Sequence, residues 1–530
     1  MKRFLVLALA AFAFAACSEK EETGNQPAQN AELEQSYVAV TFTADDVTRA
    51  ENGNEYDEGT DAERAVKFAH IFFFQNGKAF HVQFDNTTTT HAGPHNYIKI
   101  ALEGSTEDMD NVSDIKDKVL VIQNYKGEYP NQIVAVLNWN PTKSDYTLSE
   151  LQTEIVGLGN DKQGYIMSNA VYADKANTVV DAVRLTEANI GKNANEALAN
   201  PVTIHVERVA AKVAYSAKDN GKFDTGKEIN GVKIYAQIES FELYNDYEES
   251  RLLKKINPNW ATEDTNFGFT NWNDVDWFRS YWATSLDTAF PENSFDWNND
   301  NTKLGEWNYL GENTRPEEAN RTKVIIKAKL VNEAGNPVEV VNWYGKDYVG
   351  ENELKIVVAN TLKYTYFTSN DDGKTFIGIT PEDIKCVARD PEMENAFEVY
   401  FQLDDSVMEK RWYKFDSKES SYVLYSSNEE LNKELKMTVQ PALVYNDGMT
   451  YYWLDIKHLG LKDSTTEYGI VRNHVYKVNI TDIKGYGTPI YDPNEDFITP
   501  DKPEDIVTFV SADVRILSWR IVNRDYEVGK

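Results

Sequence analysis

The stretch that decides the fold lies near the C-terminus and reads VTFVSADVRILSWRI, residues 507–521. Apolar and polar residues alternate in its centre, as in Val514, Arg515 and Ile516, and this two-residue period is that of a half-buried β-strand. Its apolar positions include Ala512, Val514, Ile516, Leu517, Trp519 and Ile521. The sequence therefore predicts a β-strand at the end of the chain.

A spacer rich in helix and strand breakers separates this strand from the rest of the chain. It begins with Gly485 and Gly487 and contains four prolines, at positions 489, 493, 500 and 503. Because proline is excluded from helix interiors and central strands, we expect an extended spacer. A tethered apolar strand has unpaired backbone groups and needs a sheet edge. That edge belongs either to its own domain or to another copy, and the second arrangement is strand addition between subunits.

The N-terminus reads as a secretory signal that ends in a lipidation site. Lys2 and Arg3 precede an uncharged and almost wholly apolar run over residues 4–16, which is typical of a signal peptide and too short for a permanent membrane helix. Small residues then lead into Cys17 and resemble a bacterial lipoprotein box. We expect residues 1–16 to be removed and Cys17 to carry a lipid such as palmitate. Ordinary signal cleavage beside a bystander cysteine is the alternative.

Composition excludes several kinds of partner and chemistry. The chain has 85 acidic and 54 basic residues, and this excess of negative charge argues against nucleic acid, which is bound through Lys and Arg. Only two cysteines occur, so a lipidated Cys17 leaves no disulfide within the chain, and Cys386 is expected to be a small buried side chain. Abundant aromatic residues and recurring short alternating segments indicate a mainly β protein.

Two strands define the first part of the predicted sheet structure. Residues 37–43 predict a first strand, with Val38 and Val40 on one face. Residues 65–74 predict a second, strongly apolar strand, which returns through a two-residue hairpin turn at Asn76-Gly77.

Three further segments bear on the domain organisation. Residues 202–217 read as one long strand, and the polar run at 218–222 marks a domain boundary. Residues 148–158 have the spacing of a short amphipathic helix. Residues 257–321 are rich in Asn, Asp and Trp and are expected to form an irregular insertion in the second domain.

Three separate motifs carry a family resemblance. They are VERVAAKV at 206–213, YLGENT at 309–314 and YGIVRNHVYKVNI at 468–480, and the segment 514–528 extends the likeness. Together they resemble the FimA/Mfa1 family of Bacteroidales fimbrillins, also called type V pilins. The short-fimbria shaft subunits are the most similar members. In the second motif Gly311 stands where proline is usual.

The resemblance implies a mainly β fold of two transthyretin-like β-sandwich domains with a C-terminal donor strand. With the boundary above, residues 50–217 form the N-terminal domain and residues 218–484 the C-terminal domain. Residues 485–530 form the spacer and the donor strand. Residues 17–49 are a lipidated propeptide that includes the first strand.

The resemblance also implies a life cycle at the cell surface. The lipoprotein reaches the outer membrane, and an arginine-specific surface protease removes the propeptide together with the first strand. The emptied groove accepts the C-terminal strand of another subunit, and the product is an extracellular fimbria that contributes to adhesion. The expected partners are other copies of the chain, other fimbrial subunits, and ligands on host or bacterial surfaces. A complete donor strand and a cleavable arginine favour a shaft subunit over an anchor.

Two arginines are candidates for proteolytic processing. Arg49 lies in a polar stretch after the first strand, where a protease can reach the backbone, so cleavage between Arg49 and Ala50 is predicted. The second candidate is the bond between Arg64 and Ala65, but it abuts the second strand and is expected to be shielded by it.

Catalytic and metal-binding motifs do not stand out. The chain lacks a nucleophile elbow, a His-Glu-x-x-His motif and a phosphate loop, so no enzymatic activity and no cofactor is expected. Asp296, Asn298 and Asp300 begin like a calcium loop, but Trp307 stands where the final Glu is needed, and a solvated acidic loop is expected instead.

The tryptophans support an alternative function. Of the 11 tryptophans, six fall within residues 257–321, where they form either a satellite core under a long loop or a surface that stacks on sugar rings. A stacking surface would make the chain a monomeric glycan-binding surface lipoprotein. The proline spacer with its terminal strand and the removable first strand fit only the fimbrial subunit.

Overall fold

The structure is a computed structural model, which describes residues 33–43, 56–57, 59–81, 95–101, 118–125, 128–174, 178–257, 283–291, 297–298, 302–388, 397–458, 462–494, 500 and 507–519. It is mainly β, as the sequence predicts.

The strands of the first half are β1 Leu33–Thr43, β2 Tyr56–Asp57, β3 Phe68–Gln75, β4 Lys78–Ala79, β5 Tyr97–Ala101, β6 Lys118–Tyr125, β7 Gln132–Leu137, β8 Ile155–Gly157, β9 Gly159–Asn160, β10 Gly164–Tyr165, β11 Met167–Asn169, β12 Tyr172–Asp174, β13 Thr178–Val180, β14 Val183–Arg184, β15 Ile190–Gly191, β16 Val202–Arg208, β17 Ala211–Ala217, β18 Lys222–Ile229, β19 Val232–Tyr244 and β20 Glu249–Arg251. The strands of the second half are β21 Trp307–Leu310, β22 Lys323–Val331, β23 Val340–Trp343, β24 Lys346–Val349, β25 Tyr366–Thr368, β26 Ile377–Gly378, β27 Ile384–Val387, β28 Tyr400–Leu403, β29 Trp412–Asp416, β30 Ser421–Leu424, β31 Leu443–Tyr445, β32 Met449–Asp455, β33 His474–Lys484, β34 Thr488–Pro489 and β35 Phe509–Trp519.

The helices are short and lie between strands. They are α1 Asp61–Arg64, α2 Leu148–Thr153, α3 Ala194–Ala199, α4 Glu351–Leu362 and α5 Asn428–Thr438. Across the described ranges, no helix has both the length and the apolar character needed to cross a bilayer.

Ten strands form one large sheet around a shared core, and this unit is called the first sandwich. Its strands run in the order β15-β1-β16-β11-β7-β3-β4, with β14 paired to β7, β5 to β3 and β6 to β1. The two faces of β3 enter different cores, with Phe73 in one and Phe72 in the other, which explains its continuous apolar run. The predicted turn after β3 is confirmed, because Asn76 and Gly77 both have the positive φ of a tight hairpin turn.

Two five-stranded sheets form the second sandwich. Their orders are β2-β35-β33-β17-β21 and β18-β19-β22-β32-β34, and a core of buried side chains such as Phe241, Ile326 and Val478 lies between them. Strands β17 and β33 run parallel at the centre of the first of these sheets. The terminal strand β35 pairs antiparallel with β33.

The chain passes from one sandwich to the other at Val209 and Ala210. Here the prediction of one long strand over residues 202–217 is wrong, because β16 pairs within the first sandwich and β17 within the second. Val209 donates its N–H to the carbonyl of Ile166, and Ala210 accepts from the N–H of Asn473. Because both crossover residues are apolar and buried, they continue the apolar pattern, and the sequence does not mark the break.

A third unit, which the sequence did not predict, is inserted between β22 and β32. It contains β23 to β31 with α4 and α5, and its own core includes Trp412, Leu354 and Leu435. The described part of residues 257–321 is less irregular than expected, because Trp307 begins β21, which pairs with β17 in the second sandwich.

Candidate functional site

The first strand lies in the interior of its sheet. On one edge β1 pairs antiparallel with β6, from Leu33 opposite Tyr125 to Val40 opposite Lys118. On its other edge β1 pairs with β15 and, in parallel, with β16. Among the described residues, β6 pairs with no strand other than β1. Removal of β1 would therefore open a groove with unpaired backbone groups on both walls.

The centre of β1 is deeply buried. Val38 and Val40 have no exposed surface and pack in the core of the first sandwich, while Ala39 is fully buried on the opposite face. Full burial of one valine contributes about 1.5–3 kcal/mol. The strand predicted at residues 37–43 is thus present, with four further residues at its start, and its loss would expose a core.

Processing at Arg49 would separate β1 from the rest of the chain. Arg49 and Ala50 lie outside the described residues, between the end of β1 at Thr43 and the start of β2 at Tyr56. Arg49 is the only basic residue between Thr43 and Tyr56. A protease specific for arginine therefore has a single target in this segment, which remains a prediction.

The second candidate bond, Arg64–Ala65, is held in a helical turn. Thr60 caps α1 by accepting from the N–H of Glu63, and the Glu63 carboxylate accepts from the N–H of Thr60. The N–H of Ala65 is bonded to the carbonyl of Ala62, and the carbonyl of Ala65 accepts from the amide of Asn138 at 2.8 Å. A protease binds its substrate as an extended segment, so this geometry shields the bond.

A buried charged cluster holds the helix that contains this bond. Glu63 is fully buried, and its carboxylate accepts from Lys212 at 2.9 Å and from the Tyr309 hydroxyl. Its backbone carbonyl accepts two bonds from the Arg208 guanidinium, at 3.0 and 2.8 Å. Burial lowers the pKa of Arg208 to about 9, which leaves it charged at neutral pH. Cleavage at Arg64 would require this cluster to break.

The terminal strand pairs with a strand of its own chain. β35 runs along β33 from Phe509 opposite Lys484 to Ser518 opposite His474. Of the predicted donor residues, Ala512, Val514, Ile516, Leu517 and Trp519 lie in β35, and Ile521 lies outside the described residues. The structure therefore places both strands, β1 and β35, within a single subunit, and the predicted transfer of β35 to another subunit stays a prediction.

A short strand contacts the far end of β35. Tyr56 and Asp57 of β2 run parallel to Ser518 and Trp519. Asp57 also forms an ion pair of 2.8 Å with Lys477 of β33. Burial raises the pKa of the Asp57 carboxyl, but bonds from Lys477 and from the Gly59 N–H outweigh burial and hold the pKa below its usual value. For most of its length, β35 has one paired edge within the described residues.

The three family-like motifs meet where the two sandwiches join. Arg208 of the first motif donates its backbone N–H to the side chain of Asn473 in the third, at 3.2 Å. Arg472 of the third motif binds Glu312 of the second through Nε at 2.7 Å, and both residues are buried. Burial raises the pKa of Glu312, but the positive charges of Arg472 and Lys254 outweigh it, and the net pKa is lowered.

Two histidines lie in the same junction. The rings of His458 and His474 are 5.7 Å apart, and both are buried. His474 contacts the carbonyl of Arg472 through Nδ1 at 2.8 Å, and His458 contacts the Tyr476 hydroxyl at 2.9 Å. Burial lowers the pKa of His474 to about 4 and that of His458 well below its usual value. Both rings are therefore neutral at physiological pH.

The other residues singled out from the sequence are the cysteines, the candidate metal ligands and the tryptophans. Cys17 lies outside the described residues, and Cys386 is a buried free thiol whose pKa burial raises. No cluster of three or more potential metal ligands occurs in the part of the chain that the structure describes. Of the Trp-rich insertion, only Trp297 and Trp307 are described. Trp297 packs against a core cluster, and Trp307 bonds to the Tyr309 hydroxyl at 2.9 Å.

The C-terminal segment is similar to a known family. Residues 443–525 match the family described as major fimbrial subunit protein type IV, fimbrillin, C-terminal. This segment contains β33 and β35, which are the terminal strand and the strand that it pairs with. No curated protein sequence matches the chain.

Several solved structures share low sequence identity with the chain. One is a fimbrilin from Porphyromonas gingivalis W83, with 12% identity, a TM-score of 0.38, and coverage of 92% of this chain and 98% of that one. A second is the tip fimbrial protein Mfa3 from Porphyromonas gingivalis, with 11% identity, a TM-score of 0.30, and coverage of 92% and 99%. A third is a fimbrial assembly protein from Parabacteroides distasonis, with 12% identity, a TM-score of 0.26, and coverage of 74% and 100%.

The family match bears on the class of function. Fimbrillins are structural subunits, so the match agrees with the prediction that the chain is not an enzyme. The match covers residues 443–525, which include the terminal strand and its partner.

Proposed function

We propose that the chain is a shaft subunit of a cell-surface fimbria that polymerises by exchange of its terminal strand. The precursor is lipidated on Cys17 at the outer membrane and is cleaved between Arg49 and Ala50 by an arginine-specific protease. Cleavage releases residues 17–49 with β1, and the terminal strand of another subunit fills the groove. The polymer is extracellular and contributes to adhesion.

The observation that carries this proposal is the position of β1. It is paired on both edges and buried on both faces, yet it is joined to the rest of the chain only through a segment with one arginine. A strand in the middle of a sheet that can be removed by one cut leaves a groove of the length of a strand. The fimbrillin match of residues 443–525 supplies the class of partner, which is another subunit.

Specific proteolysis tests the first step. An arginine-specific protease should give a new N-terminus at Ala50, read by N-terminal sequencing, and a polymer visible by electron microscopy. A lysine-specific protease is the control, because no lysine lies between Thr43 and Tyr56. The Arg49→Ala variant should stay monomeric, whereas Arg64→Ala should be processed like the wild type. A mature end at Ala65, or polymer from Arg49→Ala, would contradict the proposal.

A disulfide lock tests the second step. Asn479 of β33 lies opposite the exposed Asp513 of β35. Cysteines at these two positions should therefore form a surface disulfide that keeps β35 paired within its own subunit. The protease-treated double variant should remain monomeric when oxidised and polymerise when reduced. Lys414→Cys with Val423→Cys, an opposite pair in the hairpin of β29 and β30, controls for oxidation itself. Equal polymerisation of the oxidised and reduced forms of the β33–β35 lock would show that β35 is not the donor.

The alternative of a glycan-binding monomer has a distinct outcome in these tests. Such a protein would remain monomeric after cleavage even when both engineered disulfides are reduced. Of the two described tryptophans of the insertion, Trp297 packs against a core cluster, and Trp307 is partly exposed and bonded to the Tyr309 hydroxyl.

A further inference from the structure

Two strands of this chain match each other position by position. Residues 37–43 of β1 read YVAVTFT, and residues 509–515 of β35 read FVSADVR. The aligned pairs are Tyr37 with Phe509, Val38 with Val510, Ala39 with Ser511, Val40 with Ala512, Thr41 with Asp513, Phe42 with Val514 and Thr43 with Arg515. On one face of the aligned strands, an aromatic residue matches an aromatic residue, a small residue matches a small one, and polar residues match polar ones. On the other face, every apolar residue matches an apolar residue.

One position of β1 has an unusual constraint. Successive side chains of a strand point to opposite faces, so Ala39 points away from the core that holds Val38 and Val40. It is nevertheless fully buried. Helix α3 packs against β1, β6 and β15, and its Ala197 is also fully buried. Helix α3 therefore covers the outer face of β1 at Ala39.

Helix α3 is held over β1 through β15, whose only strand partner among the described residues is β1. Helix α3 begins directly after β15, and Asn193 caps it by accepting from the N–H of Glu196 at 3.0 Å. The contact with β15 is close, because a Cβ added at Gly191 would lie 2.6 Å from the backbone nitrogen of Ala197. A donor strand that takes the place of β1 offers β15 the same edge to pair with, so α3 would again lie over position 39 and leave room only for a small side chain beneath it.

The sequence of β35 leaves one register that meets this constraint. A shift by two residues in either direction would place Phe509 or Asp513 beneath α3. A shift by one residue would turn Asp513 and Arg515 into the apolar core, where unpaired charges are strongly unfavourable. A register centred on Ser518 would place Leu517 and Trp519 in sites that now hold valines, and such overpacking is destabilising.

We propose that the groove accepts β35 of a second copy with Ser511 in the place of Ala39, and that Ser511 is the residue that fixes the register. The donor then runs in the direction of β1, antiparallel to β6 and parallel to β16. This inference rests on the proposed function, and it assigns the position of the donor within the groove. In the unexchanged subunit Ser511 is exposed and lies opposite Asp482, so its small size serves no packing purpose there.

Intermolecular disulfides test the register. Val119 of β6 lies directly opposite Ala39, so in the exchanged polymer it would lie opposite Ser511. Residues opposite each other in an antiparallel pair have Cβ atoms about 4.5–5.5 Å apart, which is close to the distance needed for a disulfide. One pool of protein carries Ser511→Cys and the other carries Val119→Cys, and both are processed, mixed and oxidised. The native Cys386 is buried and does not compete.

The expected result is a covalent dimer from this pair and its loss on reduction. Phe509→Cys, Asp513→Cys and Ser518→Cys, each mixed with Val119→Cys, are the matched controls and should give little dimer. If polymer forms but the dimer appears with a control position, the register is overturned and the proposed function stands. If neither polymer nor dimer forms from any pool, the proposed function itself fails.

A bulky substitution gives a second and independent readout. Ser511→Trp should fold normally, because the site is exposed in the unexchanged subunit, and should slow polymerisation by about tenfold or more through overpacking beneath α3. Phe509→Trp is the control, since the proposed register places it at Tyr37, where β1 already carries an aromatic ring. Equal polymerisation rates for the two variants, measured by light scattering, would overturn the assignment of Ser511.

Discussion

The buried ion pair at the junction of the sandwiches gives the sharpest test of what the family-like motifs do. In Glu312→Gln the side chain keeps its size but loses its charge, and Arg472 remains buried with its charge uncompensated. Arg472 has no exposed surface, and its Nε lies 2.7 Å from the Glu312 carboxylate. Breaking a buried pair in this way costs about 3–5 kcal/mol.

The loss should be visible as a shift in thermal unfolding. For a unit of 150–250 residues, 1 kcal/mol corresponds to about 2–4 °C, so the melting temperature should fall by about 10 °C. Differential scanning calorimetry is the suitable assay, because a chain with several units need not unfold in one transition. The transition of the inserted unit should stay in place if the junction alone is weakened.

A surface pair provides the matched control. Arg411 and Asp372 are 3.2 Å apart with side chains 65% and 86% exposed, and the loss of such a pair by Asp372→Asn should cost less than about 1 kcal/mol. The double variant with Arg472→Met should recover only part of the loss, because the carbonyls of Arg251 and Leu252 also lose their donor. If Glu312→Gln changed the melting temperature no more than the surface control, the junction would not depend on this charge.

Three further outcomes follow from the same structure. The free energy of unfolding should increase with pH between about 4 and 6.5. Burial lowers the pKa of His474 to about 4 and that of His458 well below its usual value, so in this range the unfolded chain binds protons that the folded chain does not. If His474→Gln left the dependence of the unfolding free energy on pH unchanged, as measured by urea unfolding, this reasoning would be wrong. Leu435→Ala should destabilise the inserted unit by about 2–5 kcal/mol and leave the first sandwich unchanged in calorimetry, since Leu435 is fully buried in the separate core of that unit. Cys17→Ala should abolish incorporation of a fatty-acid analogue, and equal labelling of variant and wild type would exclude lipidation at this residue.

Alternation along the chain predicted strands well and predicted their partners poorly. Residues 37–43 and the terminal segment both show a two-residue period, and both are strands. The period shows that a strand has an apolar face, but it does not show which edge the strand pairs with. The sequence therefore left open whether β35 pairs within its own subunit. The structure shows that in the unexchanged subunit it pairs with β33.

Two errors arose where apolar spacing continues across a change of structure. The residues at 148–158 fit a helical period, but α2 ends at Thr153, and Ile155 begins a strand that pairs with β20. At Val209 and Ala210 the alternation runs through the passage between the sandwiches. In both places long-range pairing outweighs the local pattern, and a single sequence holds no record of that pairing.

The family-like motifs were found in the sequence, but their purpose was not. Glu312 and Arg472 lie 160 positions apart and contact each other only after both sandwiches have formed. The inserted unit was missed for a related reason. Its short strands and its two helices alternate, so no single period extends far enough to mark a domain, and only the shared core around Trp412 unites them.

The direction of the proposed exchange follows from the difference between the two positions that β35 would occupy. In its own subunit, most of β35 has a single paired edge among the described strands, Val510 and Ala512 are only partly buried, and Phe509 is 64% exposed. In the groove, the strand would replace β1, which is paired on both edges and whose Val38 and Val40 have no exposed surface. The exchanged strand would thus form a second ladder of backbone hydrogen bonds, and its Val510 and Ala512 would be buried more deeply than in their own subunit. In the proposed exchange the uncleaved chain cannot make this gain, because β1 fills the groove, and we expect a single cut at Arg49 to turn the monomer into an acceptor.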